Sequence, residues 1–314
     1  MCSGSLNAVV KPCLINWNPM SIKQIMIQEA ISSQIASLLG SPVRRASSVS
    51  GGSINAAYRI ELNDGRSFFL KTNEGYLYAM FEAEAKGLTV LRGACEGIRV
   101  PEVIGHNKTE DGRLSWLLLE FVDNSQPGGS FFSHFGRRLA ALHRHSNDRF
   151  GLDHHNYIGS LYQSNTPHTT WASFYSHERL MPQMKAAIDS GLLQPGIARN
   201  FENLFARLGE IFPDEPPALL HGDLWGGNYL CDSDGTPVII DPAVYYGHRE
   251  MEIAFTRLFG GYERAFYTSY NEAWPLGAGH EQRTDICNLY PLLVHTNLFG
   301  SSYSGRVISI VNRF

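Results

Sequence analysis

The sequence predicts an α+β fold of two lobes, a small antiparallel-sheet lobe followed by a mainly helical one. Three observations predict it. Between residues 45 and 122 short β-rich runs alternate with turn signals such as Asn63-Asp64-Gly65 and Glu110-Asp111-Gly112. From residue 131 onward apolar residues recur at helical spacing, as in Phe132, Phe135, Leu139 and Leu142. Between these regions, Asp123 to Ser130 (Asp-Asn-Ser-Gln-Pro-Gly-Gly-Ser) is the strongest linker in the chain. The 314 residues suffice for two lobes with separate cores. The expected organisation is a flexible leader at 1–20, a first lobe at 21–122, a hinge at 123–130 and a second lobe at 131–314.

In chain order, Ile22 to Leu39 reads as a helix, and Arg45 to Ser50 as a strand that runs into Gly51-Gly52-Ser53-Ile54-Asn55. Ala57 to Leu62 resumes a strand. Glycines in such a loop let backbone N–H groups approach phosphates, which makes Gly51, Gly52, Ser53 and Asn55 a candidate phosphate cover. The next strand, Ser67 to Lys71, closes on a lysine whose ammonium must reach water or a partner. Leu77, Phe81, Glu84, Leu88 and Leu91 then share one helix face, with a carboxylate inside an apolar stripe. A carboxylate there is costly unless paired, and Lys71 is the natural partner for Glu84. Glu82 falls on another face and reads as a solvated charge. The strand Leu114 to Val122 ends at the linker, so the backbone of Glu120, Phe121 and Val122 is the candidate edge for a nucleotide base.

In the second lobe His143 follows the Phe132–Leu142 stripe and reads as a structural histidine. Residues 150–170 are rich in Asn, His, Gly and Ser and read as a long exposed loop. Trp171 to Leu193 and Ile197 to Phe212 read as helices, with a break at Pro213 to Pro217. The chemistry lies in His221-Gly222-Asp223-Leu224-Trp225-Gly226-Gly227-Asn228 and in Asp241 beyond it. Phosphoryl-transfer enzymes need a carboxylate to take the acceptor's proton, an Asn five positions on to hold a cation, and a further Asp for the cation that bridges the phosphates. Asp223, Asn228 and Asp241 have that order. Tyr229 to Cys231 and Pro237 to Ile240 flank an Asp-Gly turn, so they form a hairpin that returns Asp241 to the side of Asn228. After it comes a charged set, His248, Arg249, Glu250 and Glu252.

Composition narrows the rest. A net charge of −4 without a basic cluster gives no reason to expect nucleic acid, and no apolar run is long enough for a membrane span. The five cysteines form no Cys-x-x-Cys pair, which points to neither zinc nor a disulfide framework and fits a reducing cytoplasm. His154-His155 is a poor ligand pair because adjacent residues point apart.

With these parts placed, the chain resembles the fructosamine kinase (ketosamine-3-kinase) family, relatives of aminoglycoside phosphotransferases and choline kinases on a protein-kinase-like fold. The resemblance runs from about Gly51 to the C-terminus. It is densest in Leu220 to Asn228 and in Asp241-Pro242-Ala243-Val244-Tyr245-Tyr246-Gly247-His248-Arg249-Glu250. Phe150-Gly151-Leu152-Asp153, Asn156-Tyr157-Ile158-Gly159 and Asn297-Leu298-Phe299-Gly300 also look like that family. The resemblance implies ATP- and Mg²⁺-dependent phosphorylation of a sugar hydroxyl on glycated amines, giving an unstable product that releases the free amine. In that scheme Asp223 is the catalytic carboxylate, Asn228 and Asp241 hold Mg²⁺, Lys71 contacts the phosphates and Glu84 fixes Lys71. Trp225 and Tyr157 are candidates for the acceptor side. Two positions depart from the family: Ser53, where some members carry cysteine in the phosphate loop, and His248, where Asp is usual. Aminoglycoside- and choline-type kinases, or a nucleotide-binding pseudokinase, are the alternative readings.

Overall fold

Residues that alternate between two faces build the first sheet. Strands β1 (Val43–Ser48), β2 (Ala56–Leu62) and β3 (Ser67–Glu74) follow α1 (Ile22–Leu39), and α2 (Tyr78–Ala94) precedes β4 (Val103–Lys108) and β5 (Leu114–Glu120). The five strands form one antiparallel sheet in the order β1-β2-β3-β5-β4. Leu70, Trp116 and Leu118 face α1, where Ile31 and Ile35 cover them. Leu117 and Leu119 face the other way, against Phe81, Leu88 and Leu91 of α2. Period-2 alternation therefore gives each helix one face of the sheet. The computed structural model describes residues 22–49, 55–94 and 98–314, with side chains from residue 29 onward. The leader at 1–20 and the loop residues Gly51, Gly52 and Ser53 lie outside the described residues.

The rest of the chain is mostly helical: α3 (Phe131–His143), α4 (Trp171–Phe174), α5 (Met181–Asp189), α6 (Ala198–Ile211), α7 (Glu250–Leu258), α8 (Arg264–Ala273), α9 (His280–Cys287), α10 (Leu289–Phe299) and α11 (Ser304–Val311). Short antiparallel pairs join them: β6 (Asn156–Ile158) with β7 (Leu161–Gln163), β9 (Tyr229–Cys231) with β10 (Pro237–Ile239), and β8 (Ala218–Leu220) with β11 (Tyr245–Gly247). No described helix is long and apolar enough to cross a membrane.

One apolar core spans the sheet and the helices. Phe81, Leu88 and Leu91 of α2 share it with Phe135 and Leu139 of α3 and with Leu224, Ile239 and Val244 around the His221–Asn228 run and its hairpin. Gly87 lets α2 approach closely, since a Cβ there would meet Val244 Cγ2 at 3.2 Å. Arg99 adds a polar strap. Its N–H donates to Pro237 O (2.9 Å), its carbonyl accepts from Ile239 N (3.0 Å), and its guanidinium lies between Glu120 and Asp232.

Two expectations need correction. Residues 150–170 are not a long exposed loop: they contain the β6–β7 hairpin and the buried side chains Asn156, Gln163 and Asn165. The helix expected from Trp171 to Leu193 is interrupted by a π-helical turn at Tyr175–Leu180 and ends at Asp189. The charged set after Asp241 is buried, with Arg249 paired to Glu215 (2.7 Å) and Glu250 to Arg283 (2.6 Å).

Candidate active site

Strand β8 delivers the chain to His221, and Leu224, fully buried, anchors the loop that follows. Gly222 turns it with φ +85°, and a Cβ there would fall 2.0 Å from Ala243 O, so only glycine fits. The β9–β10 hairpin pairs Tyr229 with Ile239, and Ile240 N donates to Asn228 O (3.1 Å). Asn228 and Asp241 therefore sit at the same end of the hairpin. The Asn228 amide nitrogen donates to Asp223 O (2.9 Å) and Asp223 Oδ2 (3.0 Å), which leaves its carbonyl oxygen available to a cation.

His221 locks this arrangement from below. Its Nε2–H donates to Ile240 O (2.8 Å) and its Nδ1 accepts from Asp223 N (3.2 Å), the pattern of a neutral ring. Burial holds its pKa below the ordinary value, against the pull of Glu252 and Asp241. Glu252 grips the loop backbone, accepting from His221 N (3.2 Å) and Gly222 N (2.8 Å). Burial alone would raise the Glu252 carboxyl, but the hydrogen bond from His143 Nε2 (2.8 Å) and the nearby histidines hold it low. His143 also meets Tyr270 Oη (2.8 Å), so this histidine is the structural link expected of it, tied to the loop through Glu252.

Asp241 is the one non-glycine residue with positive φ (57°) among the described residues. Backbone strain of that kind persists only where the surroundings impose it, and it clusters at functional sites. Its Oδ1 accepts from Lys71 Nζ (2.6 Å), and the same ammonium donates to Glu84 Oε1 (2.6 Å). The strand lysine and the helix glutamate are thus paired as their positions suggested. Burial would favour the neutral amine, yet the two carboxylates hold Lys71 above its ordinary pKa. Asp223 moves the other way for a carboxylate. Burial first, then the charge of Asp241, push it well above the usual range, while Asn228 opposes and Glu252 adds to the rise.

The double pairing of Lys71 sets up a test. Glu84→Gln should leave the fold close to wild-type stability, because Asp241 still neutralises the buried ammonium. Lys71→Met strands two carboxylates and should cost at least about 3 kcal/mol. Thermal denaturation of the two variants checks this, and equal destabilisation would contradict it.

The remaining candidates are spread around this centre. Asn55 accepts from Asn73 Nδ2 (2.7 Å) at the start of β2. Glu120 ends β5 with its carboxylate on Arg99, the Arg59 guanidinium lies 4.4 Å from the Phe121 ring centroid, and Val122 is half-buried. Trp225 is 39% exposed, with its ring 6.5 Å from Phe259. Tyr157 is half-buried on β6, 6.1 Å from the Tyr162 ring. A narrow crevice beside Asp223 is walled by Ile158, Tyr245, Phe255, Tyr290 and His295. Sequence reasoning did not single out Phe255 of α7 or Tyr290 and His295 of α10. No cluster of three or more His, Cys, Asp or Glu among the described residues could hold a metal alone. One carboxylate and one amide oxygen instead suit a hard cation that keeps waters and shares phosphate oxygens.

Comparisons with known proteins place the chain in a family. The fructosamine kinase family model matches residues 27–314. Protein-ribulosamine 3-kinase, chloroplastic, of Arabidopsis thaliana is 37% identical over 284 residues, 87% of this chain and 83% of the relative. A Synechocystis protein assigned as a ketoamine kinase is 38% identical over 278 residues, 88% of this chain and 92% of the relative. The solved structure of a Thermobifida fusca protein assigned as a fructosamine-3-kinase superposes with a TM-score of 0.80 at 36% identity, covering 90% of this chain and 97% of that one. An aminoglycoside phosphotransferase solved with GDP and kanamycin gives 0.57 at 13% identity, covering 90% and 97%, a likeness of fold.

Proposed function

The chain belongs to the fructosamine kinase family and is a kinase that phosphorylates a hydroxyl of ketosamines, and from that premise we propose which residues carry the reaction. ATP is the donor. Asp223 takes or orients the proton of the acceptor hydroxyl, Lys71 contacts the nucleotide phosphates, and Glu84 holds Lys71 in place. Asn228 and Asp241 hold Mg²⁺, which when bound neutralises charge on the phosphates. Glu252 and His221 keep the Asp223 loop and the Asp241 segment in one register. Gly51 to Asn55 cover the nucleotide, the backbone from Glu120 to Val122 meets its base, and Trp225 and Tyr157 border the acceptor. Phosphorylation of the sugar yields a product that sheds it, so the reaction restores the free amine, and the cysteine usage fits a cytoplasmic setting.

One observation carries this reading. The ammonium of Lys71, 170 residues from Asp241 in sequence, bonds Glu84 and Asp241 together at 2.6 Å each, beside an Asp223–Asn228 pair at 3.0 Å. Few constraints other than nucleotide phosphates and their cation call for that combination. ADP release with fructoselysine, ribuloselysine, choline and kanamycin, each with and without Mg²⁺, tests it. Mg²⁺-dependent release with one or both ketosamines is the expected result. Release with kanamycin or choline alone would move the acceptor to a sister class.

A further inference from the structure

The β6–β7 segment holds buried polar side chains that the reaction above leaves unused. Arg179 is fully buried in the π-helical turn and forms no ion pair among the described residues. Its guanidinium lies 4.1 Å from the Tyr245 ring centroid and 4.5 Å from that of Phe174, and it donates to Ser164 O and to Asn165 Oδ1 (2.6 Å). Its Nε has no partner. A buried cation without a carboxylate is costly, and π-helical turns frequently mark functional sites.

What this group holds is the strand that leaves Asp241. Asn165 Nδ2 donates to Asn156 Oδ1 (2.9 Å), and Asn156 Nδ2 donates to Val244 O (2.8 Å). Gln163 Nε2 donates to Ala243 O (3.1 Å) and Asn156 Oδ1 (2.8 Å), while Tyr290 Oη donates to Gln163 Oε1 (2.6 Å). Ala243 N also donates to His221 O (2.9 Å), and on the other side of Asp241 the Ile240 carbonyl accepts from His221 Nε2 and its N–H donates to Asn228 O. The strained residue is therefore clamped from both flanks, immediately before a proline that disfavours α conformations at that position. Attaching the segment to its neighbour would not need these amides. The backbone pair between Gly151 and Tyr246, at 2.9 and 2.8 Å, already does that.

We propose that Asn156, Gln163 and Arg179 are positioning residues for the divalent cation: by holding the Ala243 and Val244 carbonyls they fix Asp241 in the orientation a cation needs. This rests on the reading that Asn228 and Asp241 hold Mg²⁺. The side chains involved touch neither cation nor substrate and act through the backbone that follows the ligand. Groups supporting a ligand in this way typically contribute about 10–100-fold to metal affinity.

The test is Mn²⁺ affinity, read by Mn²⁺ spin resonance in the presence of a non-hydrolysable ATP analogue, alongside binding of the analogue without metal. Gln163→Met should weaken Mn²⁺ by about tenfold and leave metal-free nucleotide binding unchanged. Tyr290→Phe removes only the phenol donor to Gln163 and should weaken Mn²⁺ in the same direction by about threefold, the worth of one neutral hydrogen bond. If Gln163→Met does not fold, Tyr290→Phe decides. Wild-type Mn²⁺ affinity in whichever of these variants folds, or equal losses with and without metal, overturns the proposal. Absence of Mn²⁺ binding by the wild type, or wild-type binding by Asp241→Asn, would instead overturn the metal assignment, and the brace with it.

Discussion

Asp223→Asn is expected to lower turnover by about 10²–10⁴-fold, the usual contribution of a positioned general base, while the folded protein becomes no less stable. The two halves have one cause. Burial, with Asp241 and Glu252 nearby, raises the Asp223 carboxyl well above its ordinary value of 3.8. A carboxylate whose folded pKa exceeds its unfolded one makes the folded state bind more protons between the two. Stability therefore falls as pH rises through that window, and the ionised group opposes folding above it. An amide of the same shape removes that cost and keeps hydrogen-bonding capacity toward Asn228. Turnover measured as ADP release, together with thermal denaturation of the apo protein, checks both parts. A variant that lost activity and stability in parallel would point to collapse of the loop, and one with wild-type turnover would end the base assignment. Sites that hold a charge against its solvation commonly gain stability when the charge is removed.

The parts of this site that could be read in the sequence are those whose spacing admits one geometry. An Asp, an Asn five positions on, a hairpin with an Asp-Gly turn and a second Asp leave little freedom, and the β9–β10 register has the form that pattern requires. Glu84 announced itself because a carboxylate in an apolar stripe must be paired, and the strand before it carried Lys71, although β3 runs on to Glu74 rather than closing at the lysine. The β6–β7 region was opaque for the opposite reason. Asn156, Gln163 and Asn165 satisfy one another in the interior, and in sequence such amides are indistinguishable from solvated ones. Arg179 gave no signal either, since what surrounds it is aromatic rings and carbonyls rather than acids at a fixed spacing. Glu250 and Glu252 were silent in a related way. Adjacent charges usually mark a wet face, but here one meets Arg283 and the other meets His143 and two backbone amides. Gly51, Gly52 and Ser53, read from the sequence as a phosphate cover, lie outside the described residues, and Asn55 beside them is bonded to Asn73.

Asp241→Asn should be the most damaging substitution in the molecule, with turnover reduced by at least about 10³-fold, because the chemistry depends on charge placed beforehand at the phosphates. Its effect on the apo protein should be slight or favourable. The side chain is 44% exposed, and Lys71 keeps Glu84 when it is neutralised. Burial raises the Asp223 and Glu84 carboxyls and the charge of Asp241 raises both further, so that charge strains the site that it serves. Asn tolerates the left-handed backbone that φ 57° demands, which keeps the conformation while removing the charge. Asp241→Gly would go further, since glycine carries no steric penalty there, and should match or exceed wild-type melting temperature without any turnover. The distinguishing measurement is the increase in melting temperature on adding Mg²⁺ with a non-hydrolysable ATP analogue, compared with the analogue alone. The wild type should gain further stability from the cation, because a ligand that binds only the folded state stabilises it in proportion to its occupancy. Both variants should gain nothing beyond the nucleotide. A full Mg²⁺-linked increase in Asp241→Asn would place the cation on other groups, and the strain at Asp241 would then need a different cause.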